Sequence, residues 1–303
     1  MKRVVIAGGT GFIGSALVDG FLETGYKVQI LTRRHATSGN SNASVDRIIW
    51  DGQSRGGWIE SINGADIIVN VSGKNLVKGI WTKSYKKKLY DSRVKLTELL
   101  VRTIGTLKNP PKLFIQASAI GYYGDCGDIM LNESSPPGKG FLAKLTEDWE
   151  NSLRDFCSQN TRFIITRFGI VLGNSGGVIP DLKRFFKLFL GIQPGRKRAW
   201  FSWIHIDDLV RGMMFLAENP TCQGIYNFTA PEPIQKEVFY RILAQRLSRP
   251  LWFAMPDSII SMIAGDMGKE TLLFSQRVVP QKLMDEGFIF RYKTISEALD
   301  VLI

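Results

Sequence analysis

The sequence predicts an α/β protein with a doubly wound parallel sheet and a smaller mixed, mostly helical lobe. In the first 173 residues, β-rich apolar runs alternate with amphipathic helical segments, the pattern of repeated strand–helix–strand units. The β-rich runs contain few polar residues, as expected for strands that helices cover on both faces. A glycine-rich turn also joins the first run to the first helical segment.

Turn and breaker residues separate the predicted strands and helices. Gly25 ends the first helical segment as a plausible C-cap, and Pro110 and Pro111 follow the end of the second. Predicted strands cover residues 2–7, 27–31, 47–50, 66–71, 112–118 and 162–168, and predicted helices cover 12–24, 82–107 and 141–159.

The regular alternation stops after Gly173. We therefore predict a dinucleotide-binding domain over 1–173 and a smaller substrate lobe over 174–303. The runs 201–206 and 224–228 have strand character and are expected to return toward the first domain. The lobe should cover the carboxyl edge of the sheet, where ligands bind in open α/β folds.

Composition excludes several classes of protein. The 303 residues are 44% hydrophobic and 22% charged, which is ordinary for a globular protein. No apolar run approaches the ~18 residues of a membrane span, and the apolar start is too short for a secretory signal. Three cysteines without metal-binding spacing favour a reducing, cytoplasmic location.

The net charge of +11 is concentrated in two segments. Residues 74–88 contain six lysines and no acid, and residues 181–198 contain six basic residues and one acid. Neither segment carries a nucleic-acid-binding pattern or regularly interleaved aromatic residues. We interpret them as a basic rim around an anionic small-molecule substrate, with neither nucleic acid nor membrane as a partner and the oligomeric state open.

The glycine-rich turn has the spacing G-x-x-G-x-x-G between a predicted strand and a predicted helix. Its glycines allow a tight turn and let the backbone approach a pyrophosphate at the helix N-terminus. The alternative is a tight turn without a ligand. The expected cofactor contacts are Gly8, Thr10, Gly11, Phe12, Ile13 and Gly14.

The end of the second strand predicts the choice of cofactor. An NAD site would carry an acid there for the ribose 2′-hydroxyl, whereas an arginine accommodates a 2′-phosphate. This sequence has Thr32, Arg33 and Arg34, which favours NADP(H), with Thr32 and Arg33 as contacts. An exposed basic loop is the alternative interpretation.

Further motifs give the chain a family resemblance. They lie at 70–73 (NVSG), 92–93 (SR), 117–124 (ASAIGYYG), 149–150 (WE), 167–173 (RFGIVLG), 202–208 (SWIHIDD) and 275–280 (SQRVVP). With the glycine turn, they resemble the extended short-chain dehydrogenase/reductase superfamily, and within it the atypical epimerase-family oxidoreductases with a distinctive carboxy-terminal domain. The resemblance covers nearly the whole chain and implies a Rossmann-like fold that binds a nicotinamide dinucleotide.

The fold and the resemblance place further residues around the cofactor. The loops after the fourth and sixth strands should lie over the ribose and nicotinamide, and the atypical family carries Arg where the superfamily has a helix Asn. Lys74 stands where an acid would be expected, so the local contact there departs from the family. These arguments predict contacts from Val71, Ser72, Gly73, Lys88, Arg93 and Leu172.

The catalytic residues depart from the ordinary superfamily, which uses a Ser after strand five and Tyr-x-x-x-Lys on the next helix. Ser118 matches the serine, but alignment on Glu150 places Leu142 at the tyrosine and Thr146 at the lysine. We predict that Ser118 polarises a substrate and that the proton comes from Tyr122, from water held by Ser118 or from the substrate itself. The alternative is that Tyr122 packs beneath the second lobe.

The histidines are not expected to be catalytic or to bind metal. His205 is interpreted as a structural residue before a helix opened by Asp207, and neither histidine has convincing metal-binding partners. The predicted function is an NADP(H)-dependent oxidoreductase or epimerase for an unknown small molecule. A non-catalytic NADP(H)-binding sensor is the main alternative, and a nucleic-acid-associated protein is a weaker one.

Overall fold

Residues 1–33, 45–153 and 161–303 are described by a computed structural model. The strands in chain order are β1 (Arg3–Ala7), β2 (Lys27–Thr32), β3 (Val45–Ile49), β4 (Ile67–Asn70), β5 (Leu113–Ala119), β6 (Met130–Leu131), β7 (Arg162–Phe168), β8 (Ile170–Leu172), β9 (Ile192–Pro194), β10 (Trp200–Phe201), β11 (Trp203–His205), β12 (Gly224–Phe228), β13 (Ile234–Gln235), β14 (Phe253–Met255) and β15 (Arg277–Val278).

The helices lie mostly between these strands. They are α1 (Phe12–Glu23), α2 (Trp58–Ile62), α3 (Lys83–Tyr90), α4 (Leu96–Ile104), α5 (Phe141–Asn151), α6 (Ile179–Lys187), α7 (Ile206–Glu218), α8 (Lys236–Leu247), α9 (Asp257–Gly268), α10 (Gln281–Asp285) and α11 (Ile295–Leu302). A 3₁₀ turn covers Ile120–Tyr123, and π-helical turns cover Asp91–Lys95 and Lys269–Leu273.

Within the described residues, the main sheet has seven parallel strands in the order β12-β7-β5-β4-β1-β2-β3. Helices cover both of its faces. From β1, Val5 contributes to a core with Trp58, whereas Ile6 contributes to a second core with Leu17 and Met213. Burial on both faces explains why these strands are uniformly apolar, and it confirms the predicted doubly wound α/β fold.

The predicted helix over 82–107 is interrupted at its centre. Helices α3 and α4 are joined by the π-helical turn Asp91–Lys95, which contains Arg93. Such turns occur often at functional sites. The next predicted helix, 141–159, is observed as α5 to Asn151, and its predicted end lies outside the described residues.

The two predicted returning runs behave differently. Strand β12 joins the main sheet beside β7, whereas β11 pairs with the short strand β8 outside that sheet. The second lobe has its own core, which includes Trp203, Phe239 and Leu299. No helix in the described part of the chain is long and apolar enough to cross a membrane.

Candidate functional site

The glycine-rich turn between β1 and α1 is packed against the loop that follows β4. Gly8 has a φ of +89°, and a Cβ atom there would lie 2.9 Å from the backbone nitrogen of Ser72. A Cβ atom on Gly14 would lie 2.1 Å from the carbonyl oxygen of Gly8. Side chains at these two positions would therefore push apart the turn, α1 and the β4 loop.

The N-terminus of α1 offers hydrogen-bond donors to an anion. Its N-cap, Gly11, supplies no side-chain cap, and the Ser15 N–H donates back to the Gly11 carbonyl at 2.8 Å. The N–H groups of Phe12, Ile13 and Gly14 precede Ser15 and have no earlier helical carbonyl to bond. Because Thr10 and Gly11 are exposed, this end of the helix is accessible and fits a pyrophosphate.

The Phe12 ring is covered by a second glycine-rich loop, which follows β8. Cβ atoms placed on Gly173, Gly176 and Gly177 would lie 2.7, 2.5 and 3.1 Å from this ring. The loop thus closes on Phe12 and is held beside the turn after β1. The cofactor contact predicted for Phe12 is therefore expected from its backbone N–H rather than from its ring.

The predicted 2′-phosphate contacts lie at the end of β2. Thr32 is buried as the last residue of the strand, and Arg33 follows it with an exposed side chain. Arg34, the second arginine of the predicted pair, lies outside the described residues. The exposed Arg33 guanidinium is thus placed at the same sheet edge as the glycine turn.

Arg93 supplies a positive charge beside the β4 loop. Its guanidinium donates to the carbonyls of Lys74 at 3.0 Å and Leu89 at 3.3 Å, and a Cβ on Gly73 would lie 3.2 Å from it. Burial lowers the pKa of Arg93 to about 10, so the group remains a cation at neutral pH. The loop and the charge predicted to hold the cofactor therefore lie together.

The other residues predicted to line the cofactor site differ in their surroundings. Val71 and Ser72 are half-buried in the β4 loop, and the Ser72 N–H donates to the Asn70 side chain at 3.1 Å. Lys88 is exposed on α3. Leu172 is fully buried in the core of the second lobe, so the structure gives no support to a cofactor contact there. These assignments stay predictions.

Ser118 belongs to a buried polar network rather than to an open surface. It is 3% exposed, and its hydroxyl lies 2.6 Å from a carboxylate oxygen of Glu150. Glu150 accepts two further hydrogen bonds from Arg167, at 2.8 and 2.7 Å. Because an ion-paired carboxylate only accepts, the proton between Ser118 and Glu150 belongs to Ser118. The Ser118 oxygen can then accept from a ligand but has no proton left to polarise a carbonyl.

The two neighbouring tyrosines have different environments. Tyr123 is fully buried, accepts a hydrogen bond from Arg167 at 2.9 Å and donates to Asn227 at 2.7 Å. Burial raises the pKa of Tyr123 to about 12, which makes it a poor proton donor at neutral pH. Tyr122 is half-buried, with its ring centroid 3.5 Å from the Arg167 guanidinium. No hydrogen bond in the described part of the chain uses the Tyr122 hydroxyl, so its proton-donor role stays a prediction.

The buried face of α5 contains Leu142 and Thr146, at the positions where the superfamily has its catalytic tyrosine and lysine. Leu142, Thr146 and Glu150 are all buried on this helix at four-residue spacing, which places them on one face. The Thr146 hydroxyl donates to the Leu142 carbonyl. This face therefore offers neither a phenol nor a cation at the positions where the superfamily has its tyrosine and lysine.

A carboxylate from the second lobe occupies the N-terminus of α5. The side-chain oxygens of Glu270 accept from the N–H groups of Phe141 at 2.9 Å and Leu142 at 2.7 Å. Nearby, Lys86 pairs with Asp266 at 2.8 Å. The segment 266–270 is thereby held against α3 and α5, beside the predicted catalytic positions.

His205 has the structural position expected from the sequence. It is the N-cap of α7, and its Nδ1 accepts from the Asp207 N–H at 3.1 Å. Burial lowers the pKa of His205, which agrees with a neutral ring that can accept this bond. The interpretation of His205 as a helix-start residue is confirmed.

Sequence reasoning missed Glu270 and the ion pair of Glu150 with Arg167. The pair had a detectable signal, because Arg167 interrupts an apolar strand and Glu150 lies on an apolar helix face, where unpaired charges are costly. Glu270 had no such signal, since it lies 129 residues from Phe141.

Two family models match most of this chain. Residues 4–228 match the NAD dependent epimerase/dehydratase family, and residues 255–302 match a domain of unknown function, DUF1731. An epimerase family protein of Staphylococcus saprophyticus is 36% identical over 304 residues, which cover 100% of both chains.

Two solved structures extend the likeness to the fold. The human epimerase family protein SDR39U1 (isoform 2), solved with NADPH, has a TM-score of 0.89 and 28% identity, covering 99% of this chain and 98% of that one. A nucleoside-diphosphate sugar epimerase from Corynebacterium glutamicum has a TM-score of 0.78 and 29% identity, covering 98% of this chain and 57% of that one. The sequence matches, supported by the shared fold, show that this chain belongs to the NAD dependent epimerase/dehydratase family.

Proposed function

We propose that the protein is an NADP(H)-dependent oxidoreductase or epimerase that acts on a small, anionic molecule in the cytoplasm. The cofactor proposal rests on one observation: at one edge of the sheet, the open N-terminus of α1 lies beside the β4 loop and Arg93. The exposed Arg33 at the end of β2 favours a 2′-phosphate, and the human relative was solved with NADPH.

Each part of this edge has a role in the proposal. The N–H groups at the start of α1 hold the pyrophosphate, Arg33 pairs with the 2′-phosphate, and Arg93 holds an anionic group of the cofactor or substrate. The bound nicotinamide supplies hydride exchange. Tyr122, whose ring is fixed by Arg167, is the candidate proton donor, and Ser118 accepts a hydrogen bond from the substrate or the cofactor.

The cofactor proposal is tested by titrating the protein with NADPH and with NADH. We expect NADPH to bind more tightly, because a charge-assisted hydrogen bond contributes about 1.5–3 kcal/mol. Arg33→Ala should therefore weaken NADPH by tens of fold and leave NADH unchanged. Arg241→Ala, which removes an exposed arginine of the second lobe, is the matched control. Equal NADPH and NADH curves on the native protein would refute this cofactor choice.

A second candidate function is a non-catalytic NADP(H) sensor. It is favoured by the buried face of α5, which contains Leu142 and Thr146, and by the Ser118 hydroxyl, which donates its proton to Glu150 rather than to a ligand. Without a positioned acid, a site loses the 10²–10⁴-fold rate gain that is typical of general acid–base catalysis.

Turnover separates the two candidates. The purified protein is incubated with NADPH and a panel of ketones, aldehydes and anionic carbonyl compounds, and the loss of NADPH absorbance is followed. If the protein is an enzyme, we expect no more than slow turnover of simple ketones. Any activity that is found should be abolished by Tyr122→Phe. Tight NADPH binding without turnover on any compound would support the sensor instead.

A further inference from the structure

The second lobe exposes a group of apolar side chains where α6 meets β14. Large hydrophobic residues are rarely exposed next to one another on a protein that lacks a partner for that surface. We call the group the aromatic surface, and its members, with their exposed fractions, are Phe185 (52%), Leu188 (61%), Phe189 (55%), Leu190 (51%), Trp252 (62%) and Phe253 (56%).

Hydrogen bonds hold the aromatic surface together. The Trp252 indole donates to the Phe189 carbonyl at 2.8 Å, and the Leu190 N–H donates to the Phe185 carbonyl at 2.9 Å. Strand β14, which contains Phe253, pairs with β9. These contacts join the end of α6, the turn after it and β14 into one continuous surface.

Phe189 occupies a strained backbone conformation within this surface. Its φ is +59°, in the left-handed region that a bulky side chain rarely adopts. The Phe189 N–H donates to the Phe186 carbonyl and the Leu190 N–H to the Phe185 carbonyl, both at 2.9 Å, so this conformation ends α6 as the left-handed residue of a Schellman motif. Here the strained residue presents an aromatic ring to solvent.

Basic side chains surround the aromatic surface. The Arg249 guanidinium lies 4.7 Å from the Phe189 ring centroid. Lys183, Arg184 and Lys187 line an open cavity of about 440 Å³ that Leu188 also borders. Asp181 is the only acid in the sequence of α6. The surface therefore combines exposed aromatic rings with a local excess of positive charge.

This combination determines which occupant fits. A second copy of the chain would place the same basic groups opposite each other, and like charges in contact are costly. An anionic bilayer instead offers phosphates to the basic groups and an apolar interior to the rings, the arrangement of helices that lie in a membrane interface. We propose that the aromatic surface binds the surface of an anionic phospholipid membrane, without any segment crossing it.

This proposal departs from the sequence-based expectation that no membrane is a partner. That expectation rested on the charge and motifs of the two basic segments, since the sequence did not show which apolar residues near 181–198 would be exposed. The proposal is independent of the proposed activity, because the aromatic surface contains none of the residues assigned to the cofactor or to catalysis.

The test is co-sedimentation with vesicles of phosphatidylcholine mixed with phosphatidylglycerol, against vesicles of phosphatidylcholine alone. We expect binding to the anionic vesicles only, weakening as salt increases. The double variant Arg184→Gln/Lys187→Gln should bind about 30-fold more weakly, given the attraction of each basic group to an anionic surface. The control variant Lys78→Gln/Lys83→Gln/Lys87→Gln removes three exposed lysines of the other basic segment and should bind like the native protein.

A second variant separates binding from folding. Phe189→Gly removes one ring and relieves the left-handed strain, so its melting temperature should not fall. Its affinity for anionic vesicles should fall about 10-fold, as expected for the loss of one buried aromatic side chain. Equal loss of binding in the control variant, or no binding to anionic vesicles, would overturn the proposal. A native dimer that Phe189→Gly dissociates would also overturn it and assign the surface to a second copy.

Discussion

At the scale of single residues, the buried ion pair of Arg167 with Glu150 organises the centre of the candidate site. The side chains are 1% and 6% exposed, and they fix Ser118, Tyr122 and Tyr123 around them. The hydrogen bonds and charge of Glu150 outweigh the effect of burial, so the pKa of Arg167 is raised. Arg167 therefore stays a cation, and the Glu150 carboxylate paired with it accepts from the Ser118 hydroxyl.

The network predicts a clear order of stabilities. Glu150→Gln leaves the Arg167 charge buried and uncompensated, which should cost about 3–5 kcal/mol in the free energy of unfolding. Ser118→Ala removes one buried hydrogen bond and should cost about 1–3 kcal/mol. Urea unfolding of the native protein and both variants measures these costs.

A double variant serves as the control for this order. In Glu150→Leu/Arg167→Met no charge remains buried, so the double variant should be more stable than Glu150→Gln. A Ser118→Ala variant as unstable as Glu150→Gln would contradict the assigned hydrogen bonding.

At the scale of elements, most of the sheet could be predicted because its strands are local, continuous apolar runs between turn residues. The predicted run 162–168 coincides with β7 (Arg162–Phe168), and 112–118 differs from β5 (Leu113–Ala119) by one residue at each end. The π-helical turn around Arg93 could not be predicted, because the sequence around it keeps a regular helical pattern. Glu270 was missed for a related reason, since its contact with α5 is long-range.

The Glu270 contact predicts how firmly the segment around it is held. Glu270→Ala removes two charge-assisted hydrogen bonds to the start of α5, which should destabilise the local structure by about 1.5–3 kcal/mol. Trypsin should then cleave after Lys269 faster than in the native protein, by roughly tens of fold if cleavage follows local opening.

Asp266→Asn is the matched control. It removes the ion pair of Asp266 with Lys86, in which the Lys86 side chain is 27% exposed and the Asp266 side chain 55% exposed. Exposed ion pairs contribute only about 0–1 kcal/mol to the free energy of unfolding. Cleavage after Lys269 should therefore change little. Equal cleavage rates in both variants would mean that the Glu270 hydrogen bonds to the start of α5 do not hold this segment in place.

At the scale of the whole molecule, the chain passes repeatedly between the sheet and the second lobe. Strand β15 near the carboxyl end pairs with β6, and the buried Asp208 carboxylate accepts from the N–H groups of Arg291 and Tyr292, both at 2.8 Å. Strand β12 completes one edge of the main sheet. The residues proposed to bind the cofactor and the residues of the second lobe are therefore parts of one interlocked structure.

This interlocking predicts that the molecule unfolds as one unit and that NADPH stabilises all of it. NADPH at 100 times its dissociation constant should add about 2.7 kcal/mol to the free energy of unfolding, which raises the melting temperature by roughly 5 °C for a chain of this size. NADH at the same concentration, and NADPH with the Arg33→Ala variant, should give smaller shifts. Differential scanning calorimetry should show one transition that moves as a whole. Two transitions, of which NADPH moved only one, would mean that the lobe folds independently of the sheet and that its contacts with β6 and α7 contribute little to stability.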